Sequence, residues 1–227
     1  MSKRKTRWMT GFIIMLLLFG QWPLFRAAAA ETPASDLDGN WARTTIEDWM
    51  DRGLVKGMPD GKFRPDNPIS RAEFVALVNR YFQFANAEAS PSFRDVKANQ
   101  WFADDVGTAV RAGYVTGYPN NEFKPLQSIT REEAASIIAK LALEEKNPSS
   151  YAAFKDEAQI GRWSLGSVRK VAALGIMKGY PDQTFRPRNP ITRAEAIVAL
   201  NNVPAKRDTA PVQAVVEGKV TRDGAPV

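Results

Sequence analysis

The sequence predicts a mainly α-helical protein made of three tandem helix–loop–helix units. Three observations carry this expectation. Landmark residues recur at spacings of 60 and 62: Trp41, Trp101 and Trp163; Phe63, Phe123 and Phe185; Pro65, Pro125 and Pro187; Ile69, Ile129 and Ile191. The pattern of a hydroxyl residue followed three positions later by a glutamate occurs as Ser70–Glu73, Thr130–Glu133 and Thr192–Glu195, each time ahead of an apolar run. That is the capping-box signature of a helix start. Finally, a unit of about 50 residues buries little apolar surface alone, so the three are expected to pack together with their second helices at the centre.

The N-terminus stands apart from the repeats. Lys3, Arg4, Lys5 and Arg7 precede the apolar run 11–20, and Ala28, Ala29 and Ala30 offer a small-residue cleavage site. Residues 1–30 therefore read as a secretory signal peptide. Gln21 and Pro23 interrupt the apolar run, which is short beside the roughly 20 residues that a membrane-spanning helix needs. Membrane contact is expected only through this segment, before cleavage. Of the 227-residue chain's 31 basic residues the segment holds five, and it holds none of the 25 acidic ones, so the formal net charge falls from +6 to +1 on its removal. Nucleic-acid binding would require a basic face, which this balance does not suggest. The chain has no cysteine and no histidine. Disulfides, Cys–His or Ser–His–Asp catalysis and the common zinc ligand sets are thereby excluded. No loop matches the calcium pattern D-x-[DN]-x-[DN]-G. No catalytic residue, metal site or cofactor is expected.

The first repeat is placed at 35–83. Its first helix lies in "NWARTTIEDWMDRG" (40–53), with Ile46, Trp49 and Met50 on one face and Gly53 as the stop. Its second helix carries Phe74, Leu77, Val78 and Tyr81 in an i, i+3, i+4, i+7 stripe. The second repeat (93–142) has Val106, Ala109, Val110 and Gly113 in the equivalent first helix. The third (154–202) has Val168, Val171, Ala172 and Gly175. Between the helices of each repeat runs a loop of about 17 residues, too long to be structureless in a compact domain. "GMPDGKFRP", "GYPNNEFKP" and "GYPDQTFRP" punctuate it, which suggests order, a turn at the Pro-Asp-Gly step and anchoring by Phe63 and Ile69. Residues 84–92 and 143–153 read as linkers. The tail, 203–227, leaves the pattern: a linker is followed by alternating apolar and polar residues and an Asp-Gly turn. This resembles the opening hairpin of a β-sandwich module.

Arg71, Arg131 and Arg193 pose a question, because each occupies the first helical position, where the dipole disfavours a cation. A helix start with free N–H groups suits an anion, and an arginine there can add a bidentate pair to a carboxylate. The alternative is an internal bridge to an acid of a neighbouring repeat, and the two roles coexist if a ligand replaces the bridge. Arg64, Lys124 and Arg186, seven residues earlier, either reach the same anion or are solvated loop residues. Gly57, Gly117 and Gly179 are expected to serve a positive-φ turn or a close approach by ligand. The three recurring tryptophans are expected in the core.

The ordered set of Trp, G-[YM]-P-[DN], F-[RK]-P and [ST]-R-[AE]-E, three times over residues 35–202, resembles the S-layer homology (SLH) repeat. The resemblance implies a pseudo-threefold bundle with three prongs. It also implies noncovalent anchoring of exported proteins to secondary cell-wall polysaccharide associated with peptidoglycan, often bearing pyruvate ketals, at the surface of a bacterium. The motif arginines, here Arg71, Arg131 and Arg193, would contact that anionic sugar in grooves between repeats. Departures predict unequal sites. Glu132 stands where the family has a small residue and adds a negative charge beside Arg131. Met58 replaces the tyrosine seen as Tyr118 and Tyr180, and the first repeat lacks the phenylalanine opening "FRD" and "FKD". Asn40, Gln100 and Arg162 precede the tryptophans where the family often has histidine. Two other readings are a wall-active glycosidase using paired carboxylates and a protein-interaction array at the cell surface. The repetition favours binding over one asymmetric active site.

Overall fold

The computed structural model describes residues 35–84, 93–142 and 153–203. The expected signal peptide, most of both linkers and the tail beyond Val203 lie outside the described residues. Among the described residues six α-helices follow in order, two per repeat: α1 (Arg43–Asp51) and α2 (Arg71–Phe82), α3 (Ala103–Arg111) and α4 (Arg131–Leu141), α5 (Leu165–Ala173) and α6 (Arg193–Asn201). Among the described residues β-structure is confined to isolated bridges. No helix among them is long and apolar enough to cross a membrane.

Local chemistry sets the helix ends. Each first helix stops at a glycine in the left-handed region, with φ of 68° at Gly53, 76° at Gly113 and 68° at Gly175. Each second helix starts with a complete capping box. In α2, Glu73 N–H donates to Ser70 Oγ at 3.2 Å, and Ser70 N–H donates to Glu73 Oε2 at 2.8 Å. The first helices bury Ile46 and Trp49, Val106 and Ala109, and Val168 and Val171, while the third position of the expected stripe, held by Met50, Val110 and Ala172, sits at the edge. The second helices are buried almost all round; in α2 only Glu73, Arg80, Tyr81 and Phe82 escape. They form the centre of the bundle, as the repeat pattern predicts.

A closed ring of backbone hydrogen bonds marks the pseudo-threefold axis. Ile69 N–H donates to Ile191 O at 3.1 Å, Ile191 to Ile129 O at 3.0 Å, and Ile129 to Ile69 O at 3.1 Å. All three isoleucine side chains are buried. Around this ring each second helix packs on the first helix of the next repeat: α2 on α3, α4 on α5, and α6 back on α1. Each prong is therefore a composite of two repeats. Trp49 Nε1–H, donating to Asn201 Oδ1 at 3.1 Å, ties the first repeat to the third.

Three aspartates order the loops. Asp36, Asp95 and Asp156 each accept both N–H groups of the Phe-[Arg/Lys] step in their own repeat, at 2.6–2.8 Å. That step is strained, since Arg64, Lys124 and Arg186 hold φ of 60°, 58° and 57°. Burial opposes ionisation of Asp36. The N–H groups of Phe63, Arg64 and its own residue, with the charge of Lys62, outweigh burial and hold its carboxyl below the usual value. The expected turn is present and places Gly61, Asn121 and Gln183 in the left-handed region.

Candidate functional site

The N-termini of the three second helices do not offer free N–H groups. In α2 the N–H of Arg71 donates to Gln127 O at 2.9 Å and that of Ala72 to Pro125 O at 3.0 Å, both in the next repeat, while Ser70 takes the third. The same pairs recur for Arg131 and Glu132 with Asn189 and Pro187, and for Arg193 and Ala194 with Asn67 and Pro65. The expected anion site on helix N–H groups is thus corrected: neighbouring backbone already fills it. What remains is the arginine side chain.

That side chain reaches across the repeat boundary. Nε of Arg71, Arg131 and Arg193 donates to the carbonyl of Phe123, Phe185 and Phe63, at 2.9, 2.8 and 3.1 Å. Each guanidinium also lies over the ring of that phenylalanine, 4.7–5.0 Å from its centroid. Arg71 and Arg131 form ion pairs with the capping-box glutamates of the next repeat, at 3.4 Å to Glu133 and 3.2 Å to Glu195. The internal bridge weighed from the sequence is therefore present in two of the three places. Tyr118 and Tyr180 donate their hydroxyls to the same two glutamates. Burial, and secondarily that hydrogen bond, push both phenols up to about 12, so they remain donors at neutral pH.

These groups line three grooves of about 450, 570 and 610 Å³, each assembled from all three repeats. The first combines Arg71 with Tyr118 and Glu133 of repeat two and Trp163 of repeat three. Next around the axis, Arg131 meets Tyr180 and Glu195 of repeat three and Trp41 of repeat one. Arg193 completes the circle with Met58 and Glu73 of repeat one and Trp101 of repeat two.

The tryptophans overturn the core expectation: Trp41, Trp101 and Trp163 are 65%, 60% and 64% exposed. The residue after each one, Ala42, Phe102 or Ser164, takes the buried place at the start of the first helix. Two adjacent residues cannot both point inward there, so the indole turns out over a groove. Glu132 is also corrected. It does not line the grooves, but is buried and accepts from Gly161 N–H at 2.9 Å and Ser164 Oγ–H at 2.7 Å, tying α4 to the start of repeat three.

The positive-φ reading of Gly57, Gly117 and Gly179 fails as well, since none lies in the left-handed region. The reason for two of them is crowding. A Cβ on Gly117 would stand 2.1 Å from Phe93 Cε1 and 2.8 Å from Glu122 O, and one on Gly179 2.6 Å from Phe154 Cε1 and 2.9 Å from Thr184 O. At Gly57, where the first repeat has no matching phenylalanine, the nearest neighbour is Lys62 O at 3.4 Å. Gly117→Ala and Gly179→Ala are expected to cost on the order of 1–3 kcal/mol, Gly57→Ala clearly less. Thermal denaturation of the three variants checks this, and equal losses would contradict it. Gly117 and Gly179 line grooves, whereas Gly57 does not. Arg64, Lys124 and Arg186 stand outside the groove linings. Arg64 pairs with Asp60 and Arg186 with Asp182, while Lys124 and Arg186 lie 4.3 and 3.9 Å from the centroids of Tyr118 and Tyr180. Asp36, Asp95 and Asp156 are structural residues that the sequence does not single out, although they recur at close to the repeat spacing, in "ASD", "FRD" and "FKD". Among the described residues no cluster of acidic groups is arranged to hold a metal ion.

Comparison with known proteins agrees with the threefold pattern. The family model of the S-layer homology domain matches residues 35–75, 92–135 and 153–197. The chain is 34% identical over 166 residues to an amylopullulanase of Thermoanaerobacterium thermosulfurigenes, covering 71% of this chain and 9% of that protein. To a cellulosome-anchoring protein of Acetivibrio thermocellus it is 35% identical over 156 residues, 65% of this chain and 34% of that one. To the surface-layer 125 kDa protein of Lysinibacillus sphaericus it is 28% identical over 188 residues, 82% of this chain and 16% of that one. The chain thus spans only a minor part of each relative.

Proposed function

Because the chain belongs to the S-layer homology domain family, we propose that it is a binding module which holds an exported protein noncovalently at the bacterial cell surface. Its ligand in this reading is an anionic secondary cell-wall polysaccharide, with a pyruvate ketal as the acidic group. The observation that carries the reading is the threefold groove. Each sets a guanidinium near an exposed indole, which suits a sugar ring bearing a carboxylate. In the Arg71 and Arg131 grooves the incoming carboxylate would compete with Glu133 or Glu195 for the arginine, so sugar binding and the internal bridge are alternatives on one side chain. Several weak sites on one polymer add up by avidity. The names of two relatives, a cellulosome-anchoring protein and a surface-layer protein, accord with a surface location.

A glycosidase fits the grooves less well. Among the described residues each is lined by a single carboxylate, already engaged in a helix cap, where the usual mechanism needs two. The amylopullulanase resemblance covers 9% of that protein and transfers no activity.

The test is co-sedimentation with peptidoglycan sacculi, before and after the polysaccharide is stripped, and retention on the purified, protein-free polymer. Trp41→Ala, Trp101→Ala and Trp163→Ala are suited to it, since exposed indoles can be removed without emptying the core. Binding should be lost on stripping and weakened several-fold by at least one of these folded variants. Binding that survives stripping, or depends on protein in the sacculi, would favour the interaction-array reading.

A further inference from the structure

The three grooves differ in charge. Two groove-lining positions vary around the axis: Lys56, Thr116 and Lys178 at one, Arg80, Lys140 and Asn202 at the other. Among the described residues only the groove of Arg193 has a cation at both. Arg193 itself also differs, because no carboxylate among the described residues forms an ion pair with it. Its polar contacts are the carbonyls of Phe63 at 3.1 Å and Lys56 at 3.5 Å. Met58 accounts for part of this. In the other grooves a tyrosine hydroxyl and the arginine share Oε1 of the glutamate, while Met58 supplies no hydroxyl to position Glu73 that way. All three glutamates take the N-cap N–H on Oε2, and Glu73 receives the Ser70 hydroxyl there as well. Burial foremost, with the nearby charge of Arg64, pushes the Arg193 guanidinium below its usual value, against the pull of Glu73 and Asp36. It is a cation short of counter-charge.

Resting on the polysaccharide reading above, we propose that the Arg193 groove has its own specificity and takes a sugar phosphate monoester, a dianion. Arg193, Lys56 and Arg80 supply the positive charge, and Trp101 supplies the surface for the sugar ring. The Arg71 and Arg131 grooves, each with one uncompensated cation beside an ion pair, suit a single carboxylate.

Each groove carries one exposed tryptophan, so the indole N–H resonances of the ¹⁵N-labelled full chain, assigned by Trp→Phe replacement, report the three sites separately. Glucose 6-phosphate, titrated at pH near 7.5 where it is almost fully dianionic, should shift Trp101 at a midpoint about fivefold or more below those of Trp41 and Trp163. The margin should vanish in the Lys56→Gln/Arg80→Gln variant and be absent with glucuronate, which has one charge. Equal midpoints, a margin that survives the double replacement, or the same margin with glucuronate would overturn the proposal. Sacculus binding separates the two levels. A chain that sediments but shows no Trp101 preference overturns the dianion assignment alone, whereas one that neither sediments nor responds overturns both.

Discussion

Arg131→Ala is expected to lower the free energy of unfolding by roughly 3–5 kcal/mol, the range for removing one partner of a buried ion pair. The Arg131 side chain is 5% exposed and joins repeat two to repeat three through Phe185 O, Glu195 and the rings of Phe185 and Tyr180. Alanine would leave that carbonyl without its donor and take a positive charge from a glutamate that also caps α6. Arg71→Ala should behave alike, since its partners are equivalent. Arg193→Ala should lose less, on the order of 1–2 kcal/mol, because the side chain is only part-buried and has no ion pair to break. Urea unfolding followed by circular dichroism would measure the series; equal losses at all three positions would refute the ranking. For binding studies this makes Arg→Lys the cleaner substitution. Lysine keeps the charge but cannot span the carbonyl and the carboxylate together.

The second large effect is expected at Trp49. It is fully buried, stacks on Tyr81 with centroids 4.8 Å apart, and donates to Asn201 across the junction that closes the ring of repeats. Trp49→Ala should cost about 3–5 kcal/mol, as for other large aromatic truncations in a core. The corresponding residues in the other repeats are Ala109 and Val171, so no equivalent indole stands at the α2–α3 or α4–α5 contact. Hydrogen exchange should therefore rise first in α1 and α6, with α4 and α5 keeping their protection longest. Uniform loss of protection across all six helices would show that the junction has no separate stability. Trp41→Ala, only eight residues away but exposed, should change stability by less than about 0.5 kcal/mol.

The contrast between Trp41 and Trp49 shows how far the sequence reaches. Both are tryptophans near one short helix, and only packing distinguishes them. Helix starts at Ser70, Thr130 and Thr192 and stops at Gly53, Gly113 and Gly175 were legible because capping and left-handed φ are settled within a few residues. The turn at Gly61 and the triplication were legible for the same local reason, repeated. The three arginines stand out in the sequence because a cation at a helix start breaks a local rule, while the choice between an internal partner and a ligand depends on groups of the next repeat.

What the sequence determined by itself was the set of elements, their order and the positions that break local rules. The tertiary structure alone decided the cyclic partnership, in which each second helix packs on the next repeat and Ile69, Ile129 and Ile191 close a ring. It also decided that carbonyls from the next repeat fill the helix N-termini, that Glu132 turns away from the groove, and that Gly117 and Gly179 yield to a phenylalanine. The physical reason is range. Capping boxes and left-handed stops are settled by neighbours in sequence, whereas the remaining helix-start N–H groups and the direction of a side chain depend on which residue, often more than 50 positions away, already occupies the space.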